Sequence, residues 1–297
     1  MRRKKVALVL SSGGARGYAH IGAIEELEEQ GYEITSVAGA SMGALVGGVY
    51  AAGKLPELKE RMLALGMREI FSLVDMSLSL NHVVKGDKVM EELKQMVQDV
   101  RIEDLPVPFC AVATDIKNRE EVVIETGSLY EAIRASISIP SFFRPMKDAE
   151  RVLIDGGVVN PLPLNRVQRT EGDLLAAVNV SAPSSQEIEG IRSQAYQLSR
   201  RKGGNLAMLK RMMPARPSVE SNYFSLLSKT FSLMIEQNTA LALQITPPDL
   251  LVNIPMNRFG GFDYDRADKI IRFGKNKMRE AINDWRSFEH ELGFQKT

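Results

Sequence analysis

Cysteine is almost absent from this chain of 297 residues: only Cys110 occurs, which excludes an internal disulfide. It sits in the apolar stretch Val107 to Ala113 and reads as a buried small hydrophobe, not a reactive thiol. Histidine is scarce too, with only His20, His82 and His290. None of them joins Cys110 or carboxylates at metal-ligand spacing, so neither a metal nor an organic cofactor is expected. Long apolar runs are missing: nothing approaches the roughly 20 residues of a membrane-spanning helix. The run Val6 to Leu10 follows a basic start, yet it is shorter than the roughly 7 to 15 residues of a secretory signal core, and we read it as a first β-strand. An excess of one charge is also missing. The formal net charge is +1, so no global field draws the chain to nucleic acid or to an anionic surface. The expectation is a cytoplasmic protein, at most peripheral on the inner membrane face, with no nucleic-acid partner.

What is present is an ordinary globular composition, 44% apolar and 25% charged, long enough for one large α/β domain. The first half alternates strand and helix signals, which favours a mainly parallel sheet with helices on its faces. Strands are expected at Lys5 to Leu10, Ile34 to Ala38, Pro106 to Ala113, Glu121 to Ile124, Arg151 to Ile154 and Leu174 to Val180. A first helix carries Ile21, Ile24 and Leu27 on one stripe and stops at Gly31. A second, rich in Gly and Ala, ends near Gly53; residues 54–100 read as amphipathic helix, and Tyr130 to Ser136 as a short one. After Val180 the character changes. Residues 181–222 collect Arg192, Arg200, Arg201, Lys202, Lys210, Arg211 and Arg216 with no acid between Glu189 and Glu220. Beyond them come a helix (Ser225 to Ala242), a strand (Leu250 to Ile254) and a long helix from about Tyr264. The division is a core at 4–182, a basic segment at 183–222 and a helical extension at 223–297 that completes the domain.

Three motifs carry chemistry. Gly39-x-Ser41-x-Gly43, between strand and helix, is the pattern of a nucleophile elbow. The turn is too tight for side chains around the serine, and the helix starting at Met42 aims amide hydrogens at an oxyanion forming beside it. The competing reading is a plain tight turn with a capping serine. Gly13-Gly14-Ala15-Arg16-Gly17 forms the second motif, an anion nest at a helix N-terminus. A nucleotide loop fits it poorly, since there is no GxGxxG and no P-loop lysine. An oxyanion hole fits better, with Arg16 orienting the loop or binding a substrate phosphate. The third motif is Asp155-Gly156-Gly157 after a strand, which presents a carboxylate at the carboxyl edge of a parallel sheet without side-chain clutter. By itself it also reads as an Asp-Gly turn.

A nucleophilic serine needs a base, and no histidine is well placed. His20 precedes the elbow, His82 lies in a polar loop and His290 sits near the end of the chain. Asp155 is the better candidate, because a water-poor pocket raises a carboxylate from its ordinary value near 3.9 and makes it a stronger proton acceptor.

A Gly-rich loop ending in Arg-Gly, an elbow about two dozen residues later and a later Asp-Gly-Gly together resemble the patatin-like phospholipases. Ala19-His20-Ile21-Gly22, Ala135-Ser136-Ile137-Ser138-Ile139-Pro140, Val152 to Pro161 and Phe262-Asp263-Tyr264-Asp265-Arg266-Ala267 resemble bacterial members. The resemblance implies a three-layer α/β/α fold and a serine lipid acyl-hydrolase with no cofactor. Its substrates would be phospholipids, lysophospholipids or other acyl esters. It further implies Ser41 as nucleophile, Asp155 as base, and the amides of Gly13, Gly14 and Ala15 at the oxyanion. One departure stands out: the family usually has glycine at the position of Ser12, and often at Ser11. The alternatives are a non-catalytic adaptor or regulator on the same fold, and an acyltransferase using the same site. In the basic stretch, residues 192–216 mix cations with Leu206, Met208, Leu209, Met212 and Met213, and are expected to serve as an interfacial lid or membrane contact.

Overall fold

The computed structural model describes residues 4–64, 87–140, 142–147, 150–183 and 223–294. Residues 192–216 and His82 therefore lie outside the described residues. The elements run β1 (Lys5–Leu10), α1 (Tyr18–Glu29), β2 (Glu33–Ala40), α2 (Met42–Ala51), α3 (Leu55–Ala64), α4 (Asp87–Met96), β3 (Phe109–Asp115), β4 (Glu120–Ile124) and α5 (Leu129–Ser136). They continue with β5 (Met146–Lys147), β6 (Val152–Asp155), β7 (Leu174–Ala182), α6 (Tyr223–Ile245), β8 (Leu250–Pro255) and α7 (Ala267–Phe294).

The strands form one eight-stranded sheet in the order β5-β6-β3-β2-β1-β7-β8, with β4 also paired to β3. Strands β3, β2, β1, β7 and β8 run parallel to one another, in keeping with the strand–helix alternation. The sheet is flanked by helices, which makes the fold a mixed α/β one with a mostly parallel central sheet. One expectation needs correction. β6, which delivers Asp155, is antiparallel to β3, so Asp155 does not stand at the carboxyl edge of a parallel strand. Strand direction is set by the pairing of β5, β6 and β4 around β3, and nothing local to residues 151–155 encodes it. The strand expected from Pro106 begins only at Phe109, since Pro106 and Pro108 cannot donate to a ladder.

Alternation along β1 divides the core in two. Val6, Leu8 and Leu10 pack into the larger cluster with Ile21, Ile24 and Leu27 of α1 and with Ile270, Ile271 and Met278 of α7. Ala7 and Val9 face the other way, onto Leu162, Leu164 and Val167 of an irregular segment, with Ala242 and Leu243 of α6 at its edge. Each fully buried Leu or Ile contributes roughly 1.5–3 kcal/mol, so the larger cluster carries most of the burial. The C-terminal part is integral to this arrangement: β8 extends the sheet beyond β7, and α7 lies on α1 at backbone contact. A Cβ on Gly22 would stand 2.0 Å from the carbonyl oxygen of Ile271, and one on Gly274 2.1 Å from that of Ala19. No helix among the described residues is long and apolar enough to cross a membrane.

Candidate active site

Register brings the three motifs together. Leu10, the last residue of β1, aligns with Gly39; Ala40 aligns with Val112; and Ala113 aligns with Asp155. The residues that follow β1 and β2 and the one that ends β6 therefore converge at one end of the sheet.

The elbow needs its glycines for contact reasons. A Cβ on Gly39 would lie 2.4 Å from the Gly43 carbonyl oxygen, and one on Gly43 would lie 2.1 Å from that of Leu10. Between them Ser41 adopts φ 53 and ψ −123, a conformation that non-glycine residues rarely hold and that costs about 1–3 kcal/mol. Neighbours hold it there. The Ser41 amide donates to Ser136 Oγ at 2.9 Å, and that hydroxyl donates in turn to the Val112 carbonyl at 2.6 Å. The Ser41 carbonyl accepts from Ala44 and Leu45, so α2 begins at once and its N-terminus faces the site.

The Gly-rich loop is laced down on every side but one. The Ser12 amide donates to the Pro161 carbonyl at 2.8 Å, and the Ser12 carbonyl accepts from Ser181 Oγ at 3.0 Å. Ser11 Oγ accepts from the Val180 amide at 2.9 Å. Arg16 is buried and donates through Nε to the Val180 carbonyl at 2.7 Å and through Nη2 to Ser181 Oγ at 3.3 Å. Burial lowers its pKa to about 10, with Tyr264 and Asp263 pulling the other way, so the guanidinium stays charged. Of the two roles read for Arg16, these bonds are those of loop orientation. Gly14 has φ +59, and a Cβ there would meet the Gly261 carbonyl oxygen at 2.5 Å. That same carbonyl accepts from the Ala15 amide at 2.9 Å. Ala15, expected among the oxyanion donors, thus has its amide already engaged. The amides of Gly13, Gly14 and Met42 have no acceptor among the described residues.

Asp155 is fully buried. Its backbone is fixed by Thr114 Oγ1, which donates to its carbonyl at 2.9 Å, and by its own amide donating to the Ser138 carbonyl at 3.0 Å. Oδ1 accepts from the Gly157 amide at 2.7 Å, while Oδ2 is buried with no hydrogen bond. Burial pushes the carboxyl up to about 7; the nearby Ser41 hydroxyl and the Gly157 amide pull it partly back. The Ser41 hydroxyl is thus close enough to the carboxyl to act on its ionisation. Both following glycines are required. A Cβ on Gly156 would lie 2.1 Å from the Val112 carbonyl oxygen, and one on Gly157 would lie 2.6 Å from Ser12 Oγ and 2.9 Å from Asp155 Oδ1.

The two described histidines stay apart from this chemistry. His20 is fully buried, and its Nε2 donates to the Ser11 carbonyl at 2.9 Å. Burial lowers its pKa to about 4, so it is a neutral prop under the loop. His290 lies near the exposed end of α7, away from the cavity lining. Among the described residues no group of His, Cys, Asp and Glu is arranged to hold a metal ion.

Ser41, Ser12, Gly13 and Gly14 border a cavity of about 440 Å³. Its lining is mostly apolar: Ile139, Pro140, Phe142, Ile154 and Val158, then Leu227, Phe231, Met234 and Ile235 of α6 interspersed with Ser228, Thr230 and Ser232, and Phe262 and Tyr264. Sequence reasoning assigned no role to Ser136, Gly261, Tyr264 or α6. Ser136 and Tyr264 stand in segments that resembled the bacterial proteins, which was the available signal. Tyr264 packs edge-on against Tyr18, with ring centroids 5.8 Å apart. Burial pushes its phenol up to about 12, with Arg16 opposing and Asp155 adding to the shift.

Comparison with known proteins finds relatives in sequence and a neighbour in structure. An uncharacterised NTE-family protein of Mycobacterium tuberculosis is 45% identical over 177 residues, covering 60% of this chain and 49% of its own length. Human patatin-like phospholipase domain-containing protein 6 is 26% identical over 293 residues, covering 94% of this chain and 20% of its own. The chain therefore matches about half the length of the mycobacterial relative and a fifth of the human one. Among solved structures, VipD from Legionella pneumophila aligns over 92% of this chain and 67% of its own, with 14% identity and a TM-score of 0.40. A patatin-like phospholipase family model matches residues 8–167, more than half of the chain and a span holding the Gly-rich loop, the elbow and Asp155; the chain belongs to the patatin-like phospholipase family.

Proposed function

We propose that this protein hydrolyses acyl esters of lipids, phospholipids or lysophospholipids among them, with a Ser41–Asp155 dyad. The observation that carries the reading is the buried, half-bonded carboxylate of Asp155 beside a serine on a strained elbow. A carboxyl near pH 7 accepts a proton far better than an ordinary one, and its bare Oδ2 is the oxygen available to do so. In the first step Asp155 takes the Ser41 proton as Oγ attacks the ester carbonyl carbon. The unengaged amides of Gly13, Gly14 and Met42 receive the oxyanion, with α2 behind it. Protonated Asp155 returns its proton to the departing alkoxide, the alcohol leaves, and the acyl group remains on Ser41. Asp155 then deprotonates water, which attacks the acyl-serine; collapse releases the fatty acid and reprotonates Ser41. The apolar cavity suits an acyl chain, and its polar end at Ser12, Gly13 and Gly14 suits the ester. In the cell the reading is of a cytoplasmic enzyme working at a membrane face.

Intact-mass detection of a fluorophosphonate adduct tests this directly. The wild type should take up one adduct, Ser41→Ala none, and Asp155→Asn one formed on the order of 10²–10⁴-fold more slowly. A folded wild type that forms no adduct would turn the reading over to the non-catalytic alternative.

A further inference from the structure

Large apolar side chains that remain exposed are not scattered over this molecule. Of the eleven among the described residues, six lie on α6: Leu226, Leu227, Leu233, Met234, Leu241 and Ile245, with Leu233 56% and Ile245 79% exposed. At 3.6 residues per turn these six fall within a sector of about 120° on the helix. The buried positions Ile235 and Thr239 point the opposite way. The two charged residues of α6, Lys229 and Glu236, fall on a flank outside the apolar sector. The helix thus has an inner face against the sheet, a charged flank and an outer face rich in large apolar side chains, where the exposed polar residues Thr230, Gln237 and Gln244 are uncharged. An exposed surface with this many large apolar side chains marks a contact with something other than water.

Its position says what that contact is. Leu227 and Met234 belong to the exposed face and also line the cavity of Ser41, so the two share apolar side chains at the mouth of the site. Phe262, 51% exposed, forms another lip, its ring 5.1 Å from that of Phe142 in the cavity wall. We propose that the outer face of α6 and the Phe262 lip dock on the acyl layer of a lipid bilayer, sinking a few ångströms past the headgroups so that the cavity mouth opens onto the lipid. The inference rests on the lipid-ester reading of the site. A second copy of the chain is the poorer occupant, because it would cap the mouth, whereas a lipid surface delivers substrate through it. Because the face carries no charge, binding depends on apolar insertion and persists on neutral lipid and at high salt.

The test uses the full chain and phosphatidylcholine vesicles in a flotation assay, at low and at 0.5 M (roughly physiological times three) salt. The triple variant Leu226→Ser, Leu233→Ser, Leu241→Ser changes exposed positions outside the cavity lining and should keep the wild-type melting temperature. It should lose vesicle affinity on the order of tenfold or more at both salt levels and still hydrolyse a water-soluble short-chain ester. Leu63→Ser and Phe288→Ser, equally exposed but on α3 and α7, should float like the wild type. A wild type that does not float, or a triple variant that floats as well as it does, overturns the proposal. So does a wild-type dimer that the triple variant dissociates, which would assign the face to a second copy. Leucine-dependent flotation in a protein that neither hydrolyses esters nor takes up fluorophosphonate would support the surface and reject the hydrolase reading; hydrolysis without flotation would do the reverse.

Discussion

Glu26 and Asp155 are both carboxylates whose side chains the fold removes from water, and their ionisation is driven in opposite directions. Glu26, in the α1–α7 interface, receives Arg279 Nε at 2.8 Å and Nη2 at 2.7 Å, with Gln30 Nε2 at 2.8 Å as a third donor. The Arg279 hydrogen bonds are the largest influence and hold its carboxyl below the ordinary range against the effect of burial. Asp155 has one backbone donor, an oxygen with none, and a carboxyl driven up to about 7. Asp115, on the strand next to Asp155, belongs with Glu26. Burial is its largest single influence and pushes upward, yet amides of Val152, Lys117 and Asn118 and the Asn118 side chain together hold it low. Burial by itself does not decide the state of a carboxylate; the number of donors aimed at it does. Two of these groups are tied down as structure, and the third is left short of donors, as the proposed proton transfer requires.

The largest test of that contrast is Asp155→Asn. The amide keeps an acceptor for the Gly157 amide but cannot take the Ser41 proton, so ester turnover should fall on the order of 10²–10⁴-fold. The same change should make the protein more stable at pH 8. In the folded state Asp155 holds its proton up to about pH 7, whereas the unfolded chain releases it near 3.8. Wild-type stability is therefore lost as pH rises from about 4 to about 7, by up to about 4 kcal/mol. The Asn variant escapes that loss, so its advantage in melting temperature should be absent at pH 4 and full at pH 8. A variant that loses both turnover and stability at pH 8 would remove Asp155 from the reactive class.

Next in size is the pH dependence of wild-type kcat/KM. In the proposed mechanism the ionised carboxylate is the base, so activity should fall tenfold per pH unit below a midpoint near 7. An acid limb centred near 4 would mean that Asp155 titrates as an ordinary carboxylate.

How much of this was legible in the chain follows from what each feature rests on. Gly39, Gly43, Gly156 and Gly157 could be read because a Cβ on each would meet backbone or a buried oxygen at 2.6 Å or less, so only glycine fits and a fixed pattern surrounds a candidate functional residue. The continuous apolar run of β1 and the apolar stripe of α1 could be read for the same reason, since pattern reports burial, and their alternation along the chain gave the mainly parallel sheet. The rest depends on partners far away in sequence. Nothing around Asp155 states that β6 runs antiparallel. Nothing around Ala15 states that the Gly261 carbonyl, contributed by the segment before α7, takes its amide. Ser136 was visible within a motif, but its task, joining the Ser41 amide to the Val112 carbonyl, exists only once α5 packs over β2 and β3. The cavity wall from α6 was illegible because a helix with apolar residues on two faces has no single period to read.

Ser136 sharpens the comparison from the side of the nucleophile. Ser136→Ala leaves the buried Ser41 amide and the Val112 carbonyl without their shared partner, which should destabilise the protein by about 1–3 kcal/mol. The strained elbow then loses the bond that sets its φ, and turnover should drop roughly tenfold through kcat with KM little changed. Urea unfolding and steady-state kinetics measure the two effects. A loss of stability with no loss of kcat would show that the elbow is held by its glycine contacts alone.

The smallest expected effect on catalysis, and the one that completes the contrast, comes from Glu26→Gln. Glutamine fills the same space but offers Arg279 a neutral acceptor, so the interface between α1 and α7 should weaken while ester turnover at saturating substrate stays at the wild-type value. The pH dependence must then run opposite to that of Asp155→Asn. A carboxyl held below its ordinary value stabilises the fold above its unfolded pKa and loses that contribution as pH falls through the folded one. Wild type and Glu26→Gln should therefore differ in melting temperature at pH 7 and converge as the solution is acidified below about 4.5. Wild type and Asp155→Asn should converge in the same acidic range and separate with the opposite sign on the way up. Two buried carboxylates, each changed to its amide, would thus move stability in contrary directions across one titration, and only one of them would change the chemistry. If Glu26→Gln also slowed turnover, the α1–α7 interface would have to be counted as part of the support beneath the Gly-rich loop, through His20 of α1 and its bond to the Ser11 carbonyl.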